Sequence, residues 1–192
     1  MRGKYFKDTA IFNIFPPELS DRGEFLGRIL PEGSEPNAKG FCGVAGQEKI
    51  QFYFDGKPIK AEPYELHQNI FSRNKGILET DKMDHKRAVI LGCGSVGSLV
   101  AMELARSGVG HFLLADPDVM EYHNICRHQC GIEDVGDLKI NALKRKLLNI
   151  NPQVDVQIFE GIVQNIPKAV LDDFCVKGET VFVGCADNRG AD

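Results

Sequence analysis

The stretch Val89-Ile90-Leu91-Gly92-Cys93-Gly94-Ser95-Val96-Gly97 constrains this chain more than any other. An apolar strand runs directly into three glycines at G-x-G-x-x-G spacing, and a helix carrying Leu99, Val100 and Leu104 follows. Each glycine has a physical reason. The first permits a tight strand-to-helix turn, the second lets backbone approach a phosphate or ribose, and the third lets helix and sheet pack closely. The helix start then presents amide groups and the positive end of its dipole to an anion. The turn specifies a nucleotide site without specifying which nucleotide.

Strands and helices alternate from about residue 86 onward. The pattern predicts strands over Arg87–Leu91, His111–Ala115, Val154–Phe159 and Thr180–Gly184. It predicts helices over Val96–Ser107, stopped by Gly108, over Asp137–Asn149 and over Pro167–Phe174. In the second of these helices Ile140, Leu143 and Leu147 fall on one face. Such alternation implies a parallel sheet with right-handed crossovers and a ligand at the carboxyl ends of the strands. The expected fold class is therefore α/β, a Rossmann-like parallel sheet with helices on both faces.

The first 66 residues read differently. They hold six of the nine prolines, and Ile50–Phe54, Asp55-Gly56 and Lys57–Ile59 read as a hairpin. The expected organisation is a small β-rich appendage over 1–66, of unknown role, and a nucleotide-binding domain over 67–192.

Composition excludes several classes. With 43% hydrophobic and 26% charged residues the chain fits a globular domain. A net charge of −4 gives no basis for nucleic-acid binding. No apolar run approaches the roughly 20 residues of a membrane span, and MRGKYFKDTA is not followed by a signal-peptide core. The six cysteines form no C-x-x-C pair and read as buried free thiols of a cytoplasmic protein. His123, Cys126, His128 and Cys130 have a spacing unlike the usual structural zinc patterns, so the expectation is a loop over the nucleotide with Cys126 packed inward.

The residues at the predicted strand ends form a coherent chemical set. Asp116 lies 19 residues beyond Gly97, where a Rossmann-type fold places the acid that binds ribose hydroxyls. Asn124, Arg127, Lys139 and Asp187 fall on the same edge. Arg127 and Lys139 would neutralise phosphates, one as a fork and one as a point charge. Asp187 would suit a magnesium ion, which takes carboxylate together with phosphate oxygens.

In order and spacing, G-C-G-S-V-G, A-R-S-G-V-G-H-F-L-L-A-D-P-D, N-I-C-R-H, D-V-G-D-L-K, N-I-N-P and C-A-D-N together resemble the ThiF/MoeB/ubiquitin-activating enzyme family. Phe71-Ser72-Arg73-Asn74 is similar to the family's R-x-x-R-type segment before the first strand, with its first arginine missing. The resemblance covers roughly residues 70–192. It implies ATP-dependent adenylation of the C-terminal carboxylate of a ubiquitin-like or sulfur-carrier protein, giving an acyl-adenylate and pyrophosphate. It further implies ATP and Mg2+ as cofactors and a homodimer, with no nucleic-acid or membrane partner. By this resemblance Gly92, Gly94, Ser95 and Gly97 form the ATP turn, Asp116 binds ribose, and Asn124, Arg127 and Lys139 hold the phosphates. Asp187 binds magnesium, and Arg73 reaches into the partner's site.

The family domain continues beyond the point reached at Asp192, with its protein-substrate surface and, where used, its transferring cysteine and zinc ligands. The chain therefore reads as a fragment of a longer enzyme or a shortened relative, and none of its cysteines is nominated as a catalytic thiol. Cys185 is expected at the end of a buried strand. Two alternatives stand beside adenylation. An NAD(P)-dependent Rossmann oxidoreductase shares the glycine turn and the ribose acid but has no need of Arg127, Lys139 and Asp187. A non-catalytic scaffold would bind the carrier protein without forming an adenylate.

Overall fold

A computed structural model describes residues 1–19 and 21–186. The chain divides into two compact units, Met1–Leu66 and His67–Asp192.

The first unit is built from β-strands. β1 (Arg2–Phe6) lies between β2 (Thr9–Phe12) and β3 (Phe25–Leu26), antiparallel to both. A second sheet runs β4 (Arg28–Leu30), β5 (Phe41–Ala45), β6 (Ile50–Phe54), β7 (Lys57–Ile59). β6 and β7 form the expected hairpin, with Asp55 at φ 48° and Gly56 at φ 73°. Positive φ at both turn residues matches the twist of the flanking strands, which is why Asp-Gly serves there. Aromatic rings tie the two sheets together. Phe25 of β3 meets Phe41 of β5 with ring centres 4.5 Å apart, and Phe12 of β2 meets Phe52 of β6 at 4.8 Å; within the second sheet Phe41 packs on its cross-strand partner Phe54 at 4.5 Å.

α1 (Leu66–Ile70) runs from the last residue of the first unit into the second, where α2 (Thr80–Met83) follows it. There follow β8 (Arg87–Leu91), α3 (Ser95–Arg106), β9 (His111–Ala115), α4 (Lys139–Ile150), β10 (Asp155–Phe159), α5 (Lys168–Phe174) and β11 (Thr180–Gly184). The sheet is parallel throughout, in the order β10-β9-β8-β11. Successive strands step outward from β8 to β10, and the chain then returns across the sheet to place β11 on the other side of β8. The topological switch therefore falls at β8, directly before the glycine turn, where open α/β sheets bind ligands.

Both faces of the two central strands, β8 and β9, are covered. Val89 and Leu113 pack with Phe174, Val170 and Leu171 of α5 on one face. By the alternation of strands, Ala88, Ile90, Phe112 and Leu114 point to the other face, where right-handed crossovers put α3 and α4. α4 buries Ile140, Leu143 and Leu147 as its periodicity predicts. α3 buries Gly97, Ser98, Ala101 and Ala105, small residues that let it lie close to the sheet, together with Met102, whereas Leu99 faces outward.

Several boundaries differ from expectation. α4 begins at Lys139 rather than Asp137, because Gly136 sits at φ 94° and Leu138 is extended, bridging to Val119. α3 begins one residue earlier than expected, capped by extended Gly94. Pro167 caps α5 from outside, with ψ 135°. β11 is an outer strand, with Val181 and Phe182 each about half exposed. Cys185 is consequently not at the end of a buried strand, but follows an outer one and is partly exposed. Among the described residues no helix is long and apolar enough to cross a membrane.

Candidate functional site

The carboxyl ends of β8, β9, β10 and β11 open into one cavity of about 520 Å³. β8 supplies Gly92, Gly94 and Ser95, β9 supplies Asp116 and Asp118, and the loop after β10 supplies Gly161 to Gln164. β11 leads into Cys185 and Ala186. Asn124, Arg127, His128 and Lys139 complete the wall.

The glycine turn is built as its spacing requires. Gly92 has φ 92°, and a Cβ there would stand 2.8 Å from the Ala186 nitrogen. A Cβ on Gly97 would stand 1.9 Å from the Gly92 carbonyl oxygen, so only glycine lets α3 start this close to the strand. At Gly94 a Cβ would meet nothing within 4 Å. Gly94 lines the cavity, so this open space is room for a ligand against bare backbone. The first-turn amides of α3, a twelve-residue helix, sit beside it.

Asp116 is 6% exposed, and each of its carboxylate oxygens is fixed by a backbone amide. The Cys93 N–H donates to Oδ2 at 2.7 Å, and the Asp118 N–H donates to Oδ1 at 2.8 Å. A carboxylate oxygen accepts more than one hydrogen bond, so Asp116 is oriented while keeping capacity for hydroxyl donors.

The segment between β9 and α4 carries the other polar groups. Lys139, whose side chain is 11% exposed, pairs its Nζ with Asp118 Oδ2 at 2.7 Å. Asn124 is buried and accepts the Glu121 N–H through Oδ1 at 2.9 Å, closing the 3-10 turn Tyr122–Asn124. Arg127 is exposed, and its carbonyl accepts the Ser95 hydroxyl at 3.0 Å, which ties the Arg127 segment to the glycine turn.

A charge cluster that does not line the cavity braces this segment. Asp134 is 2% exposed, takes the Gly131 N–H at 2.9 Å and is bound by Arg145 at 2.9 Å and Lys146 at 3.2 Å, both from α4. Arg145 also pairs with Asp137, and Lys146 with Glu133 at 2.9 Å. Burial alone would raise the Asp134 pKa. The Gly131 amide and the Arg145 and Lys146 hydrogen bonds outweigh it and hold the group below its usual 3.8.

The thiols lie differently from the expectation of six buried groups. Cys42, Cys93 and Cys130 are buried, Cys175 and Cys185 are partly exposed, and Cys126 is exposed rather than packed inward. The single 3-10 turn before Cys126 points its Sγ outward, toward the His123 carbonyl at 3.4 Å. Burial and the neighbouring Asp134 push the Cys130 thiol up to about 12, and burial with Asp116 pushes Cys93 well above its usual value. Both ring nitrogens of His128 are taken by backbone groups. Among the described residues no group of three or more His, Cys, Asp or Glu side chains is placed to hold a metal.

Gly92, Gly94, Ser95, Asp116, Asn124, Arg127 and Lys139 all reach one cavity. Gly97 acts one step behind it, against Gly92. Arg73 is exposed and does not line the cavity. Asp187 lies outside the described residues. Two groups of lining residues carry no sequence signal of their own. Ile162, Val163 and Gln164 enter through the 3-10 turn Val163–Asn165 that follows β10, and His128, although it ends the N-I-C-R-H stretch, is given no role at the nucleotide by its neighbours in sequence.

Comparison with known proteins accords with this geometry. Residues 66–192 match the model of the ThiF family. The chain is 38% identical over 95 residues to the tRNA threonylcarbamoyladenosine dehydratase of Bacillus subtilis, covering 47% of this chain and 37% of that protein. It is 35% identical over 112 residues to the sulfur carrier protein ThiS adenylyltransferase of Bacillus subtilis, covering 56% and 32%. It is 32% identical over 156 residues to the ubiquitin-like modifier-activating enzyme 5 of Dictyostelium discoideum, covering 74% and 39%. The chain thus spans well under half the length of these curated relatives. Among solved structures, E. coli MccB with ATP superposes with a TM-score of 0.53 at 31% identity, over 64% of this chain and 38% of that one. A matching family model across 66–192, on an α/β sheet with a glycine-turn cavity at its switch point, establishes that the chain belongs to the ThiF family.

Proposed function

We propose that the second unit binds ATP, and that the protein to which it belongs adenylates the C-terminal carboxylate of a small carrier protein. One observation carries this reading: two cations, Arg127 and Lys139, line the same cavity as the open backbone at Gly94 and the oriented carboxylate of Asp116. The adenylyltransferases among the relatives support it. The chemistry requires such a set. A carboxylate attacking the α-phosphorus of ATP brings two anions together, and only fixed positive charge and fixed geometry make that approach favourable. Asp116 would orient the ribose, the amides at Gly94 and Ser95 would meet phosphate oxygens, and Arg127 and Lys139 would carry the charge released as pyrophosphate departs.

Magnesium would supply further charge neutralisation. The family resemblance assigns it to Asp187, which lies outside the described residues. The reading also assigns Arg73, which does not line the cavity of its own chain, to the site of a second copy in a homodimer. The carrier is of the ubiquitin-like or sulfur-carrier class, as for the ThiS and modifier-activating relatives.

Calorimetric titration of the chain with Mg·ATP and, separately, with NADH tests the reading. Saturable Mg·ATP binding, weakened at least about tenfold by Arg127→Ala or Lys139→Ala, is expected, the loss of a charge-assisted contact being worth about 1.5–3 kcal/mol. NADH binding with no response to ATP would replace adenylation with hydride transfer.

A further inference from the structure

His128 is not among the residues assigned to the nucleotide, yet it is 8% exposed and stands at the centre of a relay of hydrogen bonds. Its Nε2 lies 2.7 Å from the Cys93 carbonyl oxygen, 35 residues away, inside the glycine turn. Its Nδ1 lies 3.0 Å from the Cys130 amide. The partners dictate the tautomer. A carbonyl only accepts, so Nε2 carries the hydrogen; an amide N–H only donates, so Nδ1 is the bare acceptor. Cys93 in turn gives its own N–H to Asp116. One line of bonds therefore runs from the end of β9, through the glycine turn and the His128 ring, into the segment that carries Arg127.

Two other bonds join the same segments, Ser95 Oγ to the Arg127 carbonyl at 3.0 Å and the Gln129 amide to Ser98 Oγ at 3.4 Å. His128 supplies the buried one of the three and the only one whose geometry requires a particular protonation state. We propose that His128 is a positioning residue for the cavity: its neutral ring, protonated on Nε2, holds the glycine turn and the Arg127 segment in register. The proposal deepens the nucleotide reading and rests on it for its functional consequence.

Protonation undoes this arrangement. A hydrogen on Nδ1 would face the Cys130 N–H, donor against donor, and the ring would acquire a positive charge. The charged groups around it are Asp116 at the end of β9, Asp134 in the turn before α4 and Lys139 at the start of α4. Burial, opposed by the Cys93 carbonyl, reinforced by Lys139 and opposed by the two carboxylates, keeps the imidazole below its usual 6.5. The strut is thus intact at neutral pH and lost on acidification.

Nitrogen NMR of the histidine rings from about pH 8 to about pH 5, paired with Mg·ATP calorimetry at the same pH values, tests this. The wild-type ring is expected as the Nε2–H tautomer, titrating below 6.5, with the Cys93 and Cys130 amide shifts following the same midpoint. Mg·ATP affinity is expected to fall about tenfold through that midpoint. His128→Ala should show the weakened affinity at every pH. His128→Gln, whose amide both donates and accepts, should recover part of the loss and abolish the pH step. An Nδ1–H tautomer, a midpoint at or above 6.5, or affinity that stays flat across the ring titration would overturn the proposal. If Mg·ATP binds at no pH, the nucleotide reading fails, and the tautomer and shared midpoint of the wild-type chain decide the strut by themselves.

Discussion

Gly97 and Gly92 touch so closely that a Cβ on the former would stand 1.9 Å from the carbonyl oxygen of the latter. The start of α3 is pinned by this contact, and Gly94, between them, is left facing the cavity. The two outer glycines and the middle one should therefore fail differently. Gly97→Ala must push backbone against backbone and should destabilise the second unit by about 1–3 kcal/mol. Gly94→Ala meets open space in the folded chain, so its denaturant midpoint should stay close to wild type while Mg·ATP binding weakens at least about tenfold. Equal losses of stability in the two variants would show that Gly94 serves the fold and not the ligand.

Asp116 offers a second separation. Its two oxygens take the Cys93 and Asp118 amides at 2.7 and 2.8 Å, and an asparagine would have to turn its NH2 toward one of them. Asp116→Asn should cost about 1–3 kcal/mol of stability, the penalty of one unmet buried partner. It should also weaken adenosine binding, where no phosphate contributes, in parallel with Mg·ATP binding. A variant that lost affinity for Mg·ATP but kept it for adenosine would place Asp116 at the phosphates instead of the ribose.

Asp134 governs the acid side of stability. Its folded pKa lies below the usual 3.8, so the unfolded chain binds the proton more readily than the folded one. The stabilisation is complete above the unfolded value and is lost as pH falls through the folded one. Acid unfolding of the second unit should accordingly steepen below about pH 4. Asp134→Asn should remove that component and lower stability near neutrality by about 2 kcal/mol, a value typical of hydrogen bonds to charged groups. Denaturant titrations of both chains across this pH range, followed by circular dichroism, check it. His128 contributes a separate, earlier loss. Its depressed folded pKa means that stability is full above 6.5 and declines as pH falls below that value.

The sequence by itself determined the parallel α/β unit and the strand ends at which seven of the cavity's lining residues fall, from Gly92 to Lys139. These features are local. An apolar strand, three glycines at fixed spacing and the α4 periodicity of Ile140, Leu143 and Leu147 each follow from neighbours a few residues apart. The Asp55-Gly56 hairpin was legible for the same reason. Only the tertiary structure decided what depends on segments far apart in the chain. The start of α4 moved to Lys139 because Leu138 bridges to Val119, 19 residues earlier. Cys126 turned outward, and Cys185 came to follow an outer strand in place of a buried one. Ile162, Val163 and Gln164 entered the wall from the loop after β10. The role of His128 is the extreme case, since a bond to a carbonyl 35 residues away leaves no mark on local hydrophobic pattern or turn propensity. Periodicity records which face of an element is buried; which backbone atom that face then meets is set by how the elements pack.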